Sequence, residues 1–299
     1  MRTLLSIGVG LLLSTAIFAQ DYEFRVMMNK GENQIKSSGG DWEALKSGTR
    51  LNKGDELKLA SGAYLGLVHK SGKTMELKEA GTHKIDDLAS KIGVGNTSIT
   101  SKYADFVMAK MTEDSKEENR RKYASVTGAV ERAADDASIK VLMPTSVDVY
   151  TTNPILAWNP IEENKYKVVV KNWFDKTLDT YETTESWIRL NLEDPKLAKE
   201  AMLVVSVSLA NNETVNSGDY GLKKLTEADA LDFSEELTEL KSALTEESSL
   251  NRVILAEFFE QNNLLVDALT NYVIAIQLSP NVDYFKEAFE EFKLRNGLK

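Results

Sequence analysis

The sequence contains no cysteine and only two histidines among its 299 residues. The lack of cysteine excludes disulfide scaffolds, thiolate metal sites and cysteine nucleophiles. His69 and His83 are the only imidazoles. A histidine-rich metal site is therefore not expected, and a Ser-His-Asp triad has only two candidate histidines. We therefore expect a protein that is not an enzyme and that holds no metal and no cofactor.

Basic residues are also scarce, since 36 Lys and Arg face 46 Asp and Glu, which gives a formal charge of −10. Binding to a phosphate backbone or to an anionic membrane surface needs clustered Lys and Arg. We therefore expect no nucleic-acid partner. After the first twenty residues, no segment is apolar enough to cross a bilayer, so we expect no transmembrane segment in the mature chain.

The first twenty residues have the layout of a secretory signal peptide: Arg2, an apolar stretch from Leu4 to Leu13, and small residues up to Ala19. We predict a signal peptide over 1–19, cleaved before Gln20, with an uncleaved membrane anchor as the alternative. Loss of Arg2 takes the charge from −10 to −11. The chain is expected to be exported, in the periplasm first, with secretion or outer-membrane association as alternatives.

Short strands punctuated by glycine are predicted over 20–100, and Ala63, Leu65 and Leu67 fall on one face of a strand at a period of two. A tryptophan, a Gly-x-x-Leu-x-x-Gly-Asp segment and alternating apolar residues follow each other here. The residues are Trp42, Leu45, Gly48, Leu51, Gly54, Asp55, Leu57, Ala63, Leu65, Leu67, Gly72, Met75 and Leu77. This run resembles the FecR-type β domain of bacterial envelope proteins. In that family the domain commonly belongs to a membrane-anchored signalling regulator.

A helical connector is predicted over 101–138, and a second β unit over 139–225. Tyr166, Val168 and Val170 alternate with lysines, which is typical of a strand with one face on a core and one in water. Short strands at this spacing indicate an antiparallel sandwich. Together with Trp158, the pattern is similar to fibronectin type III or immunoglobulin-like modules.

The region 226–299 is predicted to be helical, starting at a capping-box spacing of Thr226 and Asp229. Two helices over 250–261 and 264–278 flank a turn, and a third covers 282–294. The spacing of Leu255, Ala256, Phe259, Ala268, Tyr272, Ala275 and Pro280 resembles a tetratricopeptide repeat. The resemblance implies a partner-binding surface, for which Phe259 and Tyr272 are the candidate residues.

A third candidate for partner binding is Trp173, which follows the strand of Tyr166. The strand alternation points Phe174 inward and Trp173 outward, and an exposed tryptophan near a hairpin tip suits a protein or carbohydrate contact. The alternative is that Trp173 folds over the edge of its own sandwich.

These observations predict a multidomain β plus α protein with a small all-β domain, a helical connector, an antiparallel sandwich and a C-terminal helical repeat. We expect a non-catalytic exported scaffold that docks onto a cell-envelope protein complex through its β modules and its helical end. One alternative is a glycan- or peptidoglycan-binding module that uses Trp173. Another is a FecR-type signalling regulator, which requires an uncleaved N-terminus.

Overall fold

The computed structural model describes residues 22–92, 98–112, 114–121, 139–161, 165–244 and 246–298. The described residues form a mixed β and α architecture with several antiparallel sheets, and its C-terminal part is helical. The predicted fold class is confirmed at this level. The predicted signal peptide over 1–19 and residues 122–138 of the predicted connector lie outside the described ranges. None of the described helices combines the length and the apolar character that a bilayer crossing requires.

The first β unit contains eight strands and one short helix. They are β1 (Phe24–Lys30), β2 (Gln34–Lys36), β3 (Trp42–Ala44), β4 (Arg50–Leu51), β5 (Glu56–Leu59), β6 (Tyr64–His69), β7 (Thr74–Leu77), β8 (Gly81–Lys84) and α1 (Ile85–Lys91). Two four-stranded antiparallel sheets result, with the orders β4-β1-β6-β7 and β3-β2-β5-β8. Phe24, Leu57 and Leu67 belong to one buried cluster, and Ile85 and Leu88 of α1 join it. The apolar side chains of both sheets thus share a core.

Strand β6 is buried on both faces, whereas the sequence pattern indicated one core face. Leu65 and Leu67 belong to the cluster of the first β unit, while Tyr64 and Val68 belong to the larger cluster that includes the C-terminal helices. Gly66 lies so close to a helix that a Cβ there would meet Leu250 Cδ1 at 3.2 Å. A glycine inside a strand commonly marks such a close approach.

Helix α2 (Ser98–Lys110) and a further helical stretch over 114–121 (α3) follow the first β unit. α2 packs on a C-terminal helix rather than standing alone, because the Tyr103 and Phe258 rings meet edge to face at 5.4 Å. Lys110 Nζ lies 2.8 Å from the Glu257 carboxylate, which is fully buried. A buried ion pair of this kind is costly to break from one side, because it leaves an uncompensated charge behind.

The second β unit contains seven strands. They are β9 (Ser146–Val149), β10 (Ile155–Ala157), β11 (Tyr166–Asn172), β12 (Thr177–Thr183), β13 (Trp187–Arg189), β14 (Met202–Leu209) and β15 (Asn212–Lys224). A five-stranded sheet has the order β12-β11-β14-β15-β9, and β10 pairs with β13 in a two-stranded sheet. Residues Tyr166, Val168 and Val170 are buried and their neighbours are half-buried, so the predicted alternation is confirmed.

One pairing in this unit differs from the antiparallel arrangement predicted from the sequence. β9 runs parallel to β15, with Val147 opposite Leu222. Parallel neighbours need a long crossover between them, and here the whole of the intervening unit supplies it. Trp158, one of the residues on which the fibronectin-like resemblance rests, is buried and meets Tyr166 edge to face at 5.3 Å.

The C-terminal part consists of α4 (Leu231–Ala243), α5 (Ser249–Gln261), α6 (Leu265–Leu278) and α7 (Asp283–Arg295). The three last helices and the turn between α5 and α6 were predicted and are confirmed. Asn263 adopts a φ of 57° in that turn, a left-handed conformation that asparagine tolerates. The capping box also forms: Thr226 N–H donates to Asp229 Oδ2 at 3.0 Å, and Asp229 N–H donates to Thr226 Oγ1 at 3.2 Å. The regular helix begins one turn later, at Leu231.

The C-terminal helices contact both β units. The Leu250 N–H of α5 donates to Glu76 Oε1 on β7 at 2.8 Å. On α6, Asp267 accepts the N–H of Tyr150 at 3.0 Å and the N–H of Thr151 at 2.6 Å. One buried cluster contains residues from β6, α2, the second β unit and all four C-terminal helices. The C-terminal helices therefore pack against both β units.

Candidate functional site

The turn between β11 and β12, residues 172–176, is built on hydrogen bonds to Asn172. Asn172 Oδ1 accepts the N–H groups of Phe174 at 3.0 Å and of Lys176 at 3.1 Å. Asp175 has a φ of 63°, in the left-handed region that Asn and Asp tolerate better than other non-glycine residues. A turn that is fixed by its own asparagine presents its remaining side chains in a defined direction.

The two side chains presented by this turn are large aromatics. Trp173 is 65% exposed and Phe174 is 86% exposed. The outward position of Trp173 agrees with the strand alternation, but the inward position predicted for Phe174 is wrong. The alternation ends at Asn172, because the turn replaces the strand geometry there. Large apolar side chains exposed side by side are typical of an interaction surface.

A groove of about 580 Å³ lies beside the turn, on the outer face of the five-stranded sheet. Trp173 lines it together with Met202 and Val204 of β14 and Gly221 of β15. A Cβ at Gly221 would lie 2.8 Å from Met202 Cε. With Met202 in this position, only glycine therefore fits at this point of the groove. Hydroxyls from Thr145 and Ser146 also line the groove.

The charge at the groove is acidic. Asp175 and Asp219 both line it. Lys171 Nζ lies 2.7 Å from Asp175, and its hydrogen bond to that carboxylate raises the Lys171 pKa, with a further contribution from Asp219. Asp219 has no side-chain hydrogen bond or ion pair within the described part of the chain. The two carboxylates therefore exceed the one lysine beside them by one negative charge.

The other two candidate residues lie in the interior and not at a surface. Phe259 of α5 is 4% exposed and packs against Phe258 at 5.4 Å. Tyr272 of α6 is 2% exposed, lies 5.0 Å from the Phe292 ring, and its burial raises its pKa. Tyr272 faces α7, whereas the Phe259 ring lies 6.2 Å from the ring of Tyr150, which follows β9. They do not meet Trp173, which lies on the second β unit.

The two histidines have different hydrogen-bond partners. His83 Nε2 lies 3.0 Å from the Glu79 carbonyl oxygen. His69 Nδ1 lies 2.7 Å from Ser71 Oγ and accepts the Ser71 N–H at 3.1 Å, while Nε2 lies 3.4 Å from Glu23. The imidazole therefore holds the turn between β6 and β7. Within the described ranges, no group of three or more His, Asp or Glu residues is placed to hold a metal ion.

Acid is expected to weaken the first β unit through His69. Burial lowers the His69 pKa, so the folded state resists protonation that the unfolded state accepts below a pH of about 6.5. The contribution of His69 to stability should therefore fall as the pH drops from 7.5 to 5.5. His69→Gln should remove this contribution, so that the change in the free energy of unfolding between the two pH values differs from that of wild type, whereas His83→Gln should leave it unchanged, in urea unfolding at each pH. An unchanged slope in His69→Gln would contradict the assignment.

Sequence reasoning found Trp173 but missed the groove beside it. The signal for the groove was Gly221, since a glycine within a strand marks a close approach or an open place. The acid at 219 had no such signal, because the partners of a strand residue depend on which strands pair with it.

No protein-family model and no curated protein matches the chain. Among solved structures, it is similar to a complex of the pro- and mature domains of RgpB from Porphyromonas gingivalis. That similarity has 15% sequence identity and a TM-score of 0.22, and it covers 29% of this chain and 19% of the other.

Proposed function

We propose that this chain is an exported, non-catalytic scaffold that docks onto a cell-envelope protein through the turn of Trp173 and Phe174. The observation that carries the proposal is the exposure of these two adjacent aromatics on a turn fixed by Asn172. Aromatic side chains dominate the binding energy of many interfaces. A preformed turn also reduces the entropy that binding must overcome.

The proposed modules are a FecR-like domain over 20–100, a helical connector over 101–138, a fibronectin- or immunoglobulin-like sandwich over 139–225 and a tetratricopeptide-like region over 226–299. The positive φ values of Gly48 and Gly54 support the turns of the first module. The close packing of α5 and α6 around small buried residues such as Ala256 and Ala268 supports the last one. In this proposal Phe259 and Tyr272 hold the helices together, and Trp173 contacts the partner.

The acidic groove beside Trp173 suggests the chemistry of the partner. The apolar stem of a lysine or arginine can pack against Met202 and Val204, while its charged end pairs with Asp219. Its cation also suits the face of an indole ring. We infer that the partner surface presents a lysine or arginine beside an apolar patch that receives Phe174.

The test uses cross-linking in intact cells of a tagged copy, followed by mass spectrometry of the captured proteins. The double substitution Trp173→Ala and Phe174→Ala should lower recovery of a reproducible envelope partner at least tenfold. Such a loss corresponds to about 1.4 kcal/mol or more, an ordinary value for an aromatic anchor. Leu231→Ala, which shortens an exposed apolar side chain elsewhere, is the matched control and should keep full recovery.

Equal recovery by the double variant and by wild type would contradict docking through this turn. The same spectra report the N-terminus of the tagged chain. A chain that starts at Gln20 supports export with cleavage. A chain that keeps residues 1–19 favours the membrane-anchored regulator instead.

The groove also favours a second candidate, which is a glycan-binding module. An indole wall beside hydroxyls from Thr145 and Ser146 and the amide of Asn172 offers stacking and hydrogen bonds to a sugar. Pull-down on insoluble peptidoglycan without other proteins separates the two. If the wild type binds and Trp173→Ala does not, the glycan module is supported. If the wild type does not bind peptidoglycan, the scaffold proposal is favoured.

A further inference from the structure

A second cleft lies in the molecule, away from the Trp173 turn, and it begins at a pair of arginines. Arg25 on β1 and Arg50 on β4 are direct partners in the antiparallel register. Directly opposed residues have Cβ atoms about 4.5–5.5 Å apart, and like charges in such pairs are destabilising. The next pair in this register, Phe24 with Leu51, belongs to the core of the first β unit. The arginines therefore lie on the other face.

The two arginines are compensated unequally. Arg25 forms an ion pair with Asp105 of α2. Arg50 is stacked over the Tyr22 ring at 5.3 Å, and it has no ion pair with any carboxylate in the described part of the chain. Two positive charges thus face one negative charge. In a protein of formal charge −10, the charged residues that line this cleft, Arg25, Arg50 and Asp105, carry one more positive than negative charge.

Three methionines form part of the wall beside the arginines. The cleft has a volume of about 720 Å³, and it is lined by Met27 of β1, by Met108 and Met111 at the end of α2, and by Tyr284 of α7. Methionine side chains are flexible and adapt to ligands of irregular shape. The volume lies in the range of small-molecule sites. The cleft therefore combines methionine side chains with guanidinium groups.

We infer that this cleft binds a small amphipathic anion, namely a monocarboxylate with an unbranched alkyl tail. Arg50 receives the carboxylate, since a guanidinium matches it with two parallel hydrogen bonds. The methionines receive the tail. The single excess positive charge matches a monoanion, and Asp105 opposes a group with two negative charges. The cleft does not share residues with the groove of Trp173, so this inference is independent of the scaffold proposal.

Calorimetric titration of the purified protein with sodium dodecanoate at low ionic strength, below the micelle concentration, tests the inference. We expect saturable binding that Arg50→Gln weakens about tenfold, as for the loss of one charge-assisted hydrogen-bonding partner. Asp105→Asn should strengthen binding, because it removes the competing carboxylate. Arg189→Gln, at an exposed arginine of β13, is the matched control and should bind as wild type does.

Two further readouts separate this site from general affinity for apolar tails. Dodecyltrimethylammonium has the same tail and the opposite charge, and it should bind at least tenfold more weakly than dodecanoate. The methyl NMR signals of Met27, Met108 and Met111 should shift with dodecanoate, while that of Met202 should not. Absent binding, equal affinity for both amphiphiles, equal loss in Arg50→Gln and Arg189→Gln, or a shift at Met202 alone would each overturn the inference.

Discussion

Replacing Asp267 by alanine is expected to lower the free energy of unfolding by about 2 kcal/mol at pH 7.5, because two backbone N–H groups lose their acceptor. Asp267 lies in the first turn of α6 and is fully buried. Its two oxygens accept the N–H groups of Tyr150 and Thr151, which follow β9. The side chain thus fastens the second β unit to the C-terminal helices.

The same residue is expected to act more strongly in acid. Burial raises the Asp267 pKa to about 6 against the hydrogen bonds that lower it, and Lys241 supplies the opposing positive charge. A carboxyl whose folded pKa lies above its unfolded value of about 4 contributes stability that is present below pH 4 and lost as the pH rises through 6. The difference between wild type and Asp267→Ala should therefore be about 2 kcal/mol larger at pH 4.5 than at pH 7.5.

Urea unfolding of wild type and Asp267→Ala at the two pH values measures this difference directly. Asp283→Ala is the matched control, since Asp283 is also in the first turn of a C-terminal helix but is exposed. It should change the free energy of unfolding by less than about 0.5 kcal/mol. A cost of Asp267→Ala that grows with rising pH would show that the hydrogen bonds to the ionised carboxylate outweigh its burial.

The features that the sequence predicted well are those set by neighbours along the chain. The period of two fixed the inner face of β11 at Tyr166, Val168 and Val170, and the structure buries all three. The breaks at 262–263 and after 278 bounded α5 and α6. Reciprocal bonds between Thr226 and Asp229 followed from a spacing of three residues.

Two of the three features that the sequence did not predict depend on residues far apart in the chain. Tyr64 and Val68 are buried on the second face of β6 because helices from the C-terminal part cover them. The opposition of Arg25 and Arg50 follows from the register between β1 and β4, two strands that β2 and β3 separate in the chain. Phe174 is exposed because Asn172 builds the turn. The first two cases needed a tertiary contact that a periodic pattern does not contain, whereas the third needed a local turn in which the period of the strand ends.

Replacing Phe258 by alanine is expected to cost about 3–5 kcal/mol of unfolding free energy, the usual range for a buried aromatic truncated in a core. Phe258 of α5 is fully buried, and its ring lies 5.4 Å from Tyr103 of α2 and 6.0 Å from Phe233 of α4. The substitution would remove the ring through which α5 contacts both α2 and α4, and it would leave a cavity in its place. The loss should appear in urea unfolding and in faster hydrogen exchange of α2.

Phe174→Ala supplies the matched control, because it removes the same side chain from a position that is 86% exposed. It should change the free energy of unfolding by less than about 0.5 kcal/mol, yet on the scaffold proposal it should reduce partner recovery. Phe258→Ala should instead destabilise the fold while the turn at 172–176 keeps its own hydrogen bonds. A stability loss of equal size in both variants would mean that Phe174 is a core residue, and it would remove the aromatic turn as a docking surface.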